Sequence, residues 1–126
     1  ADHSGATPMS FRKDALVTAA RLILAIQEAA VKESENGTVA TVGIVEVEPG
    51  SINVIPGKVV LWVDLRGVNE ESIQNALKNI NGAVSLFAEE DEVLITVDML
   101  INLFLFPMSW PSFLRKFAVK ATSAIV

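Results

Sequence analysis

The sequence predicts an α+β fold, a two-layer sandwich in which two helices cover one face of an antiparallel sheet. Two stretches carry apolar residues at the three- and four-residue spacing of helices, and runs rich in β-branched residues alternate apolar with polar side chains. A short connection rich in Gly and Pro joins the first two such runs, which is typical of a hairpin. With 126 residues, 51% of them hydrophobic, the chain has the length and apolar content of one domain with its own core.

The first helix is predicted over residues 11–32. Ser10 is a suitable N-cap, and Asp14 would lie in the first turn, where the helix dipole favours a carboxylate. The polar run that follows ends in Asn36-Gly37, a typical stop signal. The residues that share the predicted buried stripe are Leu16, Ala20, Ile23, Gln27 and Ala30.

Two strands follow, over residues 39–47 and 58–66. The first is rich in β-branched residues and becomes polar towards Glu48. Pro49-Gly50-Ser51 is a turn sequence, and Pro56 predicts a break because proline has no N–H to donate to a sheet. The short connection makes the two strands an antiparallel hairpin.

The second helix is the clearest element of the sequence. Asn69 is its predicted N-cap, and an acidic turn is predicted over residues 89–92. A last strand is predicted over residues 93–106, with residues 99–114 read as a buried strand followed by a turn. Beyond it, a further helix is predicted over residues 113–125, because Phe117 and Ala121 lie one helical turn apart. The apolar stripe of the second helix comprises Ile73, Ala76, Leu77, Ile80, Ala83, Val84 and Phe87.

One added strand before Ala1 would complete the order β-α-β-β-α-β, the ferredoxin-like sandwich. We therefore expect a ferredoxin-like fold whose first strand is truncated. That strand is normally internal to the sheet, so a partner chain or a rearrangement has to fill its place. The expected organisation is one domain over residues 1–106 and a C-terminal helical segment over residues 107–126.

Composition argues against several functions. A net charge of −5 argues against nucleic-acid binding and against docking on an anionic membrane. The uncharged stretch 99–114 is shorter than the roughly 20 residues that a membrane-spanning helix needs. The absence of Cys and the single His, His3, make a metal site within this chain improbable. We expect no metal ligands in the chain, no nucleic-acid or membrane partner, and a cytoplasmic protein.

Three polar residues stand at unusual positions: His3 in a loop, Asn53 in an apolar run, and Arg66 at a strand end. Each has an ordinary structural explanation. His3 would be a solvated terminal residue, Asn53 would bond its own turn, and Arg66 would pair with Asp64. Taken together, they offer an imidazole, an amide and a guanidinium. Arg binds carboxylates through two hydrogen bonds, Asn adds another, and a His donates to an oxygen on which charge develops.

Several sequence motifs occur in an order that resembles one enzyme family. They are Ala-Asp-His-Ser-Gly-Ala-Thr-Pro-Met (1–9), Arg-Lys-Asp-Ala-Leu (12–16), Val-Ala-Thr-Val-Gly (39–43), Asn-Val-Ile-Pro-Gly (53–57) and Asp-Leu-Arg (64–66). In these motifs the chain resembles the dimerisation, or lid, domain of the hydantoinase/carbamoylase family of amidohydrolases. That family includes N-carbamoyl-L-amino-acid hydrolase and allantoate amidohydrolase. The resemblance is close over residues 1–67 and beyond that is only a pattern of helix and strand.

The resemblance implies a parent enzyme whose separate catalytic domain holds two divalent metal ions, such as zinc or manganese. It implies a homodimer formed through this small domain, contact with the parent's own catalytic domain, and a small carboxylate substrate. His3 matches the family's His that polarises the scissile carbonyl or holds its oxyanion. Asn53 and Arg66 match the residues that grip the substrate carboxylate. The chain alone, without the metal domain, is expected to be inactive.

A second hypothesis comes from a different class. The chain would then be a stand-alone α/β-sandwich module that dimerises through its sheet and binds or senses a small acid. The sequence flanking the chain in its gene separates the two hypotheses, because metal-ligand motifs on both sides would support the amidohydrolase.

Overall fold

The computed structural model describes residues 2–104 and 113–123. Helix α1 comprises Ala15–Lys32 and α2 comprises Glu70–Asp91. The strands are β1 (Val39–Glu48), β2 (Lys58–Gly67), β3 (Val93–Phe104) and β4 (Phe113–Ser123). Short 3₁₀ turns occupy Met9–Phe11 and Ser34–Asn36. The predicted α+β sandwich with an antiparallel sheet is confirmed.

The sheet is four-stranded, in the order β1-β2-β4-β3, and every neighbouring pair is antiparallel. β4 therefore lies inside the sheet, between β2 and β3. This internal position is the one that the ferredoxin-like pattern assigns to its first strand. The expected gap is thus filled by a rearrangement within the chain, not by a partner.

The helix predicted over residues 113–125 is wrong, because Phe113–Ser123 form a strand. Phe117 and Ala121 are four residues apart, a spacing that places two residues on one side of a strand as well as of a helix. Val119 lies between them and is buried too, which is the period of two that a strand requires. Pairing on both sides, from Lys58↔Thr122 to Phe104↔Phe113, supplies the tertiary hydrogen bonds that settle the strand. The expectation that residues 107–126 return to a separate domain stays a prediction.

The core lies between the sheet and the two helices. From β2 it receives Val59, Leu61, Val63 and Leu65, which alternate with outward side chains as predicted. Among the residues whose burial is described, the largest fully buried side chain is Phe117 of β4. β3 is an edge strand, so Met99 and Leu100 are half exposed, which corrects the expectation of a buried strand there. The predicted turn falls on residues 105–112 and lies outside the described residues.

The start of α1 and the end of α2 differ from the prediction. The predicted N-cap Ser10 is wrong: Asp14 caps α1, because its Oδ1 accepts from the N–H groups of Leu16 (2.9 Å) and Val17 (3.4 Å). Asp14 is therefore not a first-turn residue, and the helix begins at Ala15. The predicted N-cap Asn69 of α2 is confirmed by its bond from the N–H of Ser72 at 3.2 Å. The residues predicted as an acidic turn mostly continue α2, which ends at Asp91 with Glu92 in a left-handed conformation.

Candidate functional site

The loop that carries His3 is bound to the connection between β1 and β2. His3 and Val54 form an isolated antiparallel bridge. The N–H of Ser4 donates to the carbonyl of Asn53 at 2.8 Å, and the N–H of Ile55 donates to the carbonyl of Asp2 at 2.6 Å. Residues fifty positions apart in sequence are therefore fixed side by side by backbone hydrogen bonds.

Arg12 holds the same loop from the other side. Its Nε donates to the carbonyl of Thr7 at 3.1 Å and its Nη2 to the carbonyl of Ser4 at 2.5 Å. Two bonds from one planar guanidinium fix both the distance and the orientation of the loop. The backbone around His3 is thus closed into a compact turn above the start of α1.

The side chains of His3 and Asn53 are neighbours on this surface. Asn53 Nδ2 lies 3.4 Å from His3 Nε2, and both residues are exposed. Two further bonds fix their orientation. The N–H of Gly5 donates to His3 Nδ1 at 3.0 Å, and the Ser51 hydroxyl donates to Asn53 Oδ1 at 2.8 Å. An imidazole and an amide are therefore presented together to solvent.

Arg66 lies far from this pair. It is near the opposite end of β2, opposite Val39, whereas the loop of Asn53 leads into Lys58 at the beginning of that strand. From Lys58 to Arg66 the strand rises about 26 Å, at about 3.3 Å per residue. The structure therefore brings His3 and Asn53 together and keeps Arg66 apart. One chain by itself therefore does not gather all three groups around a single small ligand.

Arg66 forms the pair with Asp64 that the sequence raised as its ordinary explanation. Nε donates to Oδ1 at 2.6 Å and Nη2 to Oδ2 at 2.8 Å. The hydrogen bond from Arg66 holds the pKa of Asp64 below its ordinary value, and the charges of Arg66 and Lys116 add to this effect. The same hydrogen bond raises the pKa of Arg66. Asp64 occupies the Nε–Nη2 edge of the guanidinium, so the Nη1–Nη2 edge is the one that can face a second carboxylate.

The acidic cluster of residues 89–92 has a structural role that the sequence did not predict. Arg21 of α1 donates to Asp91 at 2.6 Å and to Glu90 at 2.7 Å, and its guanidinium lies 4.0 Å above the ring centre of Phe87. Hydrogen bonding to Glu90 is the main cause of the raised pKa of Arg21. These contacts join the two helices.

Within residues 2–104 and 113–123, no group of three acidic, His or Cys side chains is placed to hold a metal ion.

Sequence reasoning missed Gly5, Ser51 and Arg12 as members of this site. Arg12 acts on carbonyls that come within reach only after folding. Gly5 acts through a backbone N–H that every residue except proline carries, and Ser51 acts on a side chain two residues away, in a turn whose conformation the sequence does not specify. The only signal was that these residues lie within or beside the motifs 1–9, 12–16 and 53–57, and a motif does not show which atoms come into contact.

In the part of the chain that is described, no helix is both long and apolar enough to cross a membrane.

The comparisons with known proteins agree with this arrangement of loops and strands. The family model of the peptidase dimerisation domain matches residues 1–92. The chain belongs to this family. Together with relatives named N-carbamoyl-L-amino-acid amidohydrolase and allantoate amidohydrolase, this match confirms the predicted dimerisation domain of the hydantoinase/carbamoylase amidohydrolases.

Relatives of this peptidase dimerisation domain are named as amidohydrolases. N-carbamoyl-L-amino-acid amidohydrolase of Paenarthrobacter aurescens is 42% identical over 102 residues, which are 81% of this chain and 24% of that protein. Ureidoglycolate hydrolase of Arabidopsis thaliana is 35% identical over 100 residues, 79% of this chain and 21% of that protein. The chain thus spans about a quarter of the length of the curated relatives that it matches.

Solved structures give the same result for the fold of the domain. The crystal structure of an amidase of the hydantoinase/carbamoylase family from Burkholderia multivorans matches with a TM-score of 0.68 and 32% identity. The match covers 71% of this chain and 22% of that one. Both the sequence matches and the structural match therefore relate this domain to amidohydrolases.

Proposed function

We propose that the chain is the dimerisation and substrate-binding domain of an amidohydrolase that hydrolyses the C–N bond of N-carbamoyl-L-amino acids or related ureido acids. The names of its relatives support this reaction class. The observation that carries the proposal is the pairing of His3 with Asn53, whose polar nitrogens lie 3.4 Å apart on an exposed surface. Such a surface serves a reaction centre that lies outside the described residues.

Each of the three residues has a chemical role in the proposal. The Nη1–Nη2 edge of Arg66 binds the substrate carboxylate through two parallel hydrogen bonds. The resemblance assigns Asn53 to the substrate carboxylate, but Asn53 lies beside His3 and apart from Arg66. In this proposal it therefore donates, together with His3, to the oxygen of the scissile carbonyl, which gains negative charge during attack. The two divalent metal ions, zinc, manganese or similar, belong to the catalytic domain of the parent, where they would activate the attacking water. The chain alone is inactive in this proposal, and the parent works in the cytoplasm.

The separation of Arg66 from His3 supports a homodimer. A small ureido acid does not reach across about 26 Å of strand, the rise from Lys58 to Arg66. In a twofold dimer, however, His3 and Asn53 of one copy can approach an active site that receives Arg66 from the other copy. We therefore propose that each active site is composed of residues from both copies.

Mixing two full-length variants tests this proposal. His3→Ala and Arg66→Ala are each expected to be nearly inactive as homodimers. In a mixed dimer with shared sites, one site carries both defects and the other carries neither. Unfolding and refolding equal amounts together should therefore restore about a quarter of wild-type activity, since about half of the twofold dimers are mixed.

The controls are each variant refolded alone and the double variant mixed with itself, which should all stay inactive. If the mixture gains no activity although mixed dimers form, the composite site is wrong. If His3→Ala and Arg66→Ala both retain wild-type kcat/KM, the proposed substrate-binding role of the domain is wrong as well.

A further inference from the structure

We infer that Gly5 and Ser51 are positioning residues that leave His3 and Asn53 with hydrogen-bond donors alone facing outwards, as a two-donor site for one negatively polarised oxygen. The inference rests on the proposed function and deepens it. It assigns to two residues that do not themselves contact the ligand the task of fixing which atoms of His3 and Asn53 meet it.

The ring of His3 is fixed by a bond whose direction is unambiguous. The backbone N–H of Gly5 can only donate, and it lies 3.0 Å from His3 Nδ1. In the neutral ring one nitrogen carries the proton and the other accepts, so Nδ1 is the acceptor and Nε2 carries the proton. The Nε2–H group of His3 is therefore a donor.

The amide of Asn53 is fixed in a corresponding way. The Ser51 hydroxyl donates to Asn53 Oδ1 at 2.8 Å, which turns the oxygen of that amide towards the turn. The amide nitrogen then faces His3, with Nδ2 3.4 Å from Nε2. With the proton on Nε2, these two nitrogens are both donors and cannot bond to one another. A single acceptor placed beside both would satisfy the two groups.

A shared acceptor between two donors has the chemistry of an oxyanion site. An oxygen that gains negative charge accepts two hydrogen bonds more strongly than the neutral carbonyl from which it forms. Donors fixed before the reaction need no reorganisation when that charge appears. The ligand class is thus a carbonyl or carboxylate oxygen, with the preference for the charged form.

Nuclear magnetic resonance of the 126-residue chain tests the orientation directly. His3 is the only histidine, so its ring signals need no separation from others. At alkaline pH we expect Nε2 to show the shift of a protonated nitrogen, Nδ1 that of an unprotonated one, and a ¹⁵N–¹⁵N coupling through the hydrogen bond from Gly5. Gly5→Pro, which removes the N–H, should abolish the coupling and mix the two tautomers. Gly5→Ala keeps the N–H, so the coupling should persist although its Cβ, 3.3 Å from His3 Cε1, displaces the ring slightly. A proton on Nδ1 in the wild-type chain would overturn the inference.

The amide of Asn53 is tested by the proximity of its protons to the ring. Nuclear Overhauser effects from the two Asn53 amide protons to the His3 ring are expected in the wild type and in Ser51→Thr, which keeps a hydroxyl. They should weaken at least twofold in Ser51→Ala. If the amide oxygen faces Nε2–H instead, these effects are absent in the wild type, the pair is closed on itself, and the inference is wrong.

Kinetics of the full-length enzyme with N-carbamoyl amino acids separate this inference from the proposed function. Ser51→Ala should lower kcat about tenfold with KM little changed, because the oriented donor acts in the transition state, and Ser51→Thr should restore it. An unchanged kcat in Ser51→Ala, beside a large loss in His3→Ala, would refute the positioning role alone. Unchanged activity in His3→Ala would refute the proposed function instead.

Discussion

Arg66 and Asp64 form a bidentate ion pair on the outward face of β2, with the two hydrogen bonds at 2.6 and 2.8 Å. The two residues are adjacent on that face because side chains two positions apart in a strand point to the same side. The pair orients the guanidinium and uses only its Nε–Nη2 edge. Pairing with Asp64 uses only part of the hydrogen-bond donors of Arg66. The structural role of Arg66 in this ion pair is therefore compatible with its proposed role in binding the substrate carboxylate.

Replacing Arg66 by Lys in the full-length enzyme should lower kcat/KM for carboxylate substrates by about 10- to 100-fold, the loss of a charge-assisted hydrogen bond in a fixed geometry. Lys keeps the charge but not the planar pair of donors. Metal content, measured by elemental analysis, should not change. Arg21→Lys is the matched control, because Arg21 also pairs with carboxylates but joins the two helices. Equal kinetics for Arg66→Lys and wild type would remove Arg66 from the site.

The Asp64 pair should make the stability of the chain fall in acid. The folded-state pKa of Asp64 is lowered, first of all by its hydrogen bond from Arg66, so the unfolded chain binds the proton first. The stabilisation is complete above the unfolded value of about 3.9 and is lost as the pH falls through the folded value. Urea unfolding should show a smaller advantage of wild type over Asp64→Asn at pH 3 than at pH 6.

The partner variant Arg66→Gln provides the control for that pH dependence. Removing the donor should erase the same acid-sensitive contribution, so Asp64→Asn and Arg66→Gln should show parallel stability profiles between pH 6 and pH 3. A constant difference between wild type and Asp64→Asn over that interval would contradict the explanation.

Glu70 should matter to stability far more than its neighbour Glu71. The side chain of Arg115 in β4 is only 6% exposed, and its Nη2 donates to Glu70 Oε1. Glu70→Ala would leave the buried charge of Arg115 without its carboxylate partner and lower the free energy of unfolding by about 2–3 kcal/mol. This is at or below the lower end for broken buried ion pairs, because Glu70 is partly exposed. Glu71→Ala, in the same helical turn, should change the free energy of unfolding by about 0.5 kcal/mol or less. Similar effects for both variants, by chemical denaturation, would contradict the predicted role of the Arg115 pair.

Two glycines should respond in opposite directions to substitution by alanine. A Cβ on Gly67 would lie 2.9 Å from Thr38 Oγ1 and 3.1 Å from Ile73 Cδ1, so Gly67→Ala should destabilise by about 1–3 kcal/mol. At Gly82, inside α2, a Cβ meets nothing within 4 Å. Gly82→Ala should stabilise by about 0.5–1 kcal/mol, since alanine restricts the unfolded chain and favours the helix. Thermal unfolding of both variants tests the pair, and a loss of stability in Gly82→Ala would show that the helix is constrained there.

The sequence by itself determined the elements whose signals are local. The hairpin of β1 and β2 and the cap of α2 at Asn69 follow from side-chain alternation, turn residues and capping chemistry, all of which act over a few residues. His3, Asn53 and Arg66 were likewise identified as the candidate groups from residue type and motif. The hydrophobic periodicity predicted the wrong element at Phe117 and Ala121, because residues four apart lie on the same side of a helix and also of a strand.

Only the tertiary structure decided where those elements and groups meet. The strand state of β4 depends on hydrogen bonds from β2 and β3, which are distant in sequence. Likewise, backbone bonds between residues 2–4 and 53–55 place His3 beside Asn53, while the length of β2 separates both from Arg66. Local chemistry fixes what a short segment can form, but long-range hydrogen bonding and strand length fix the distances on which a shared site depends.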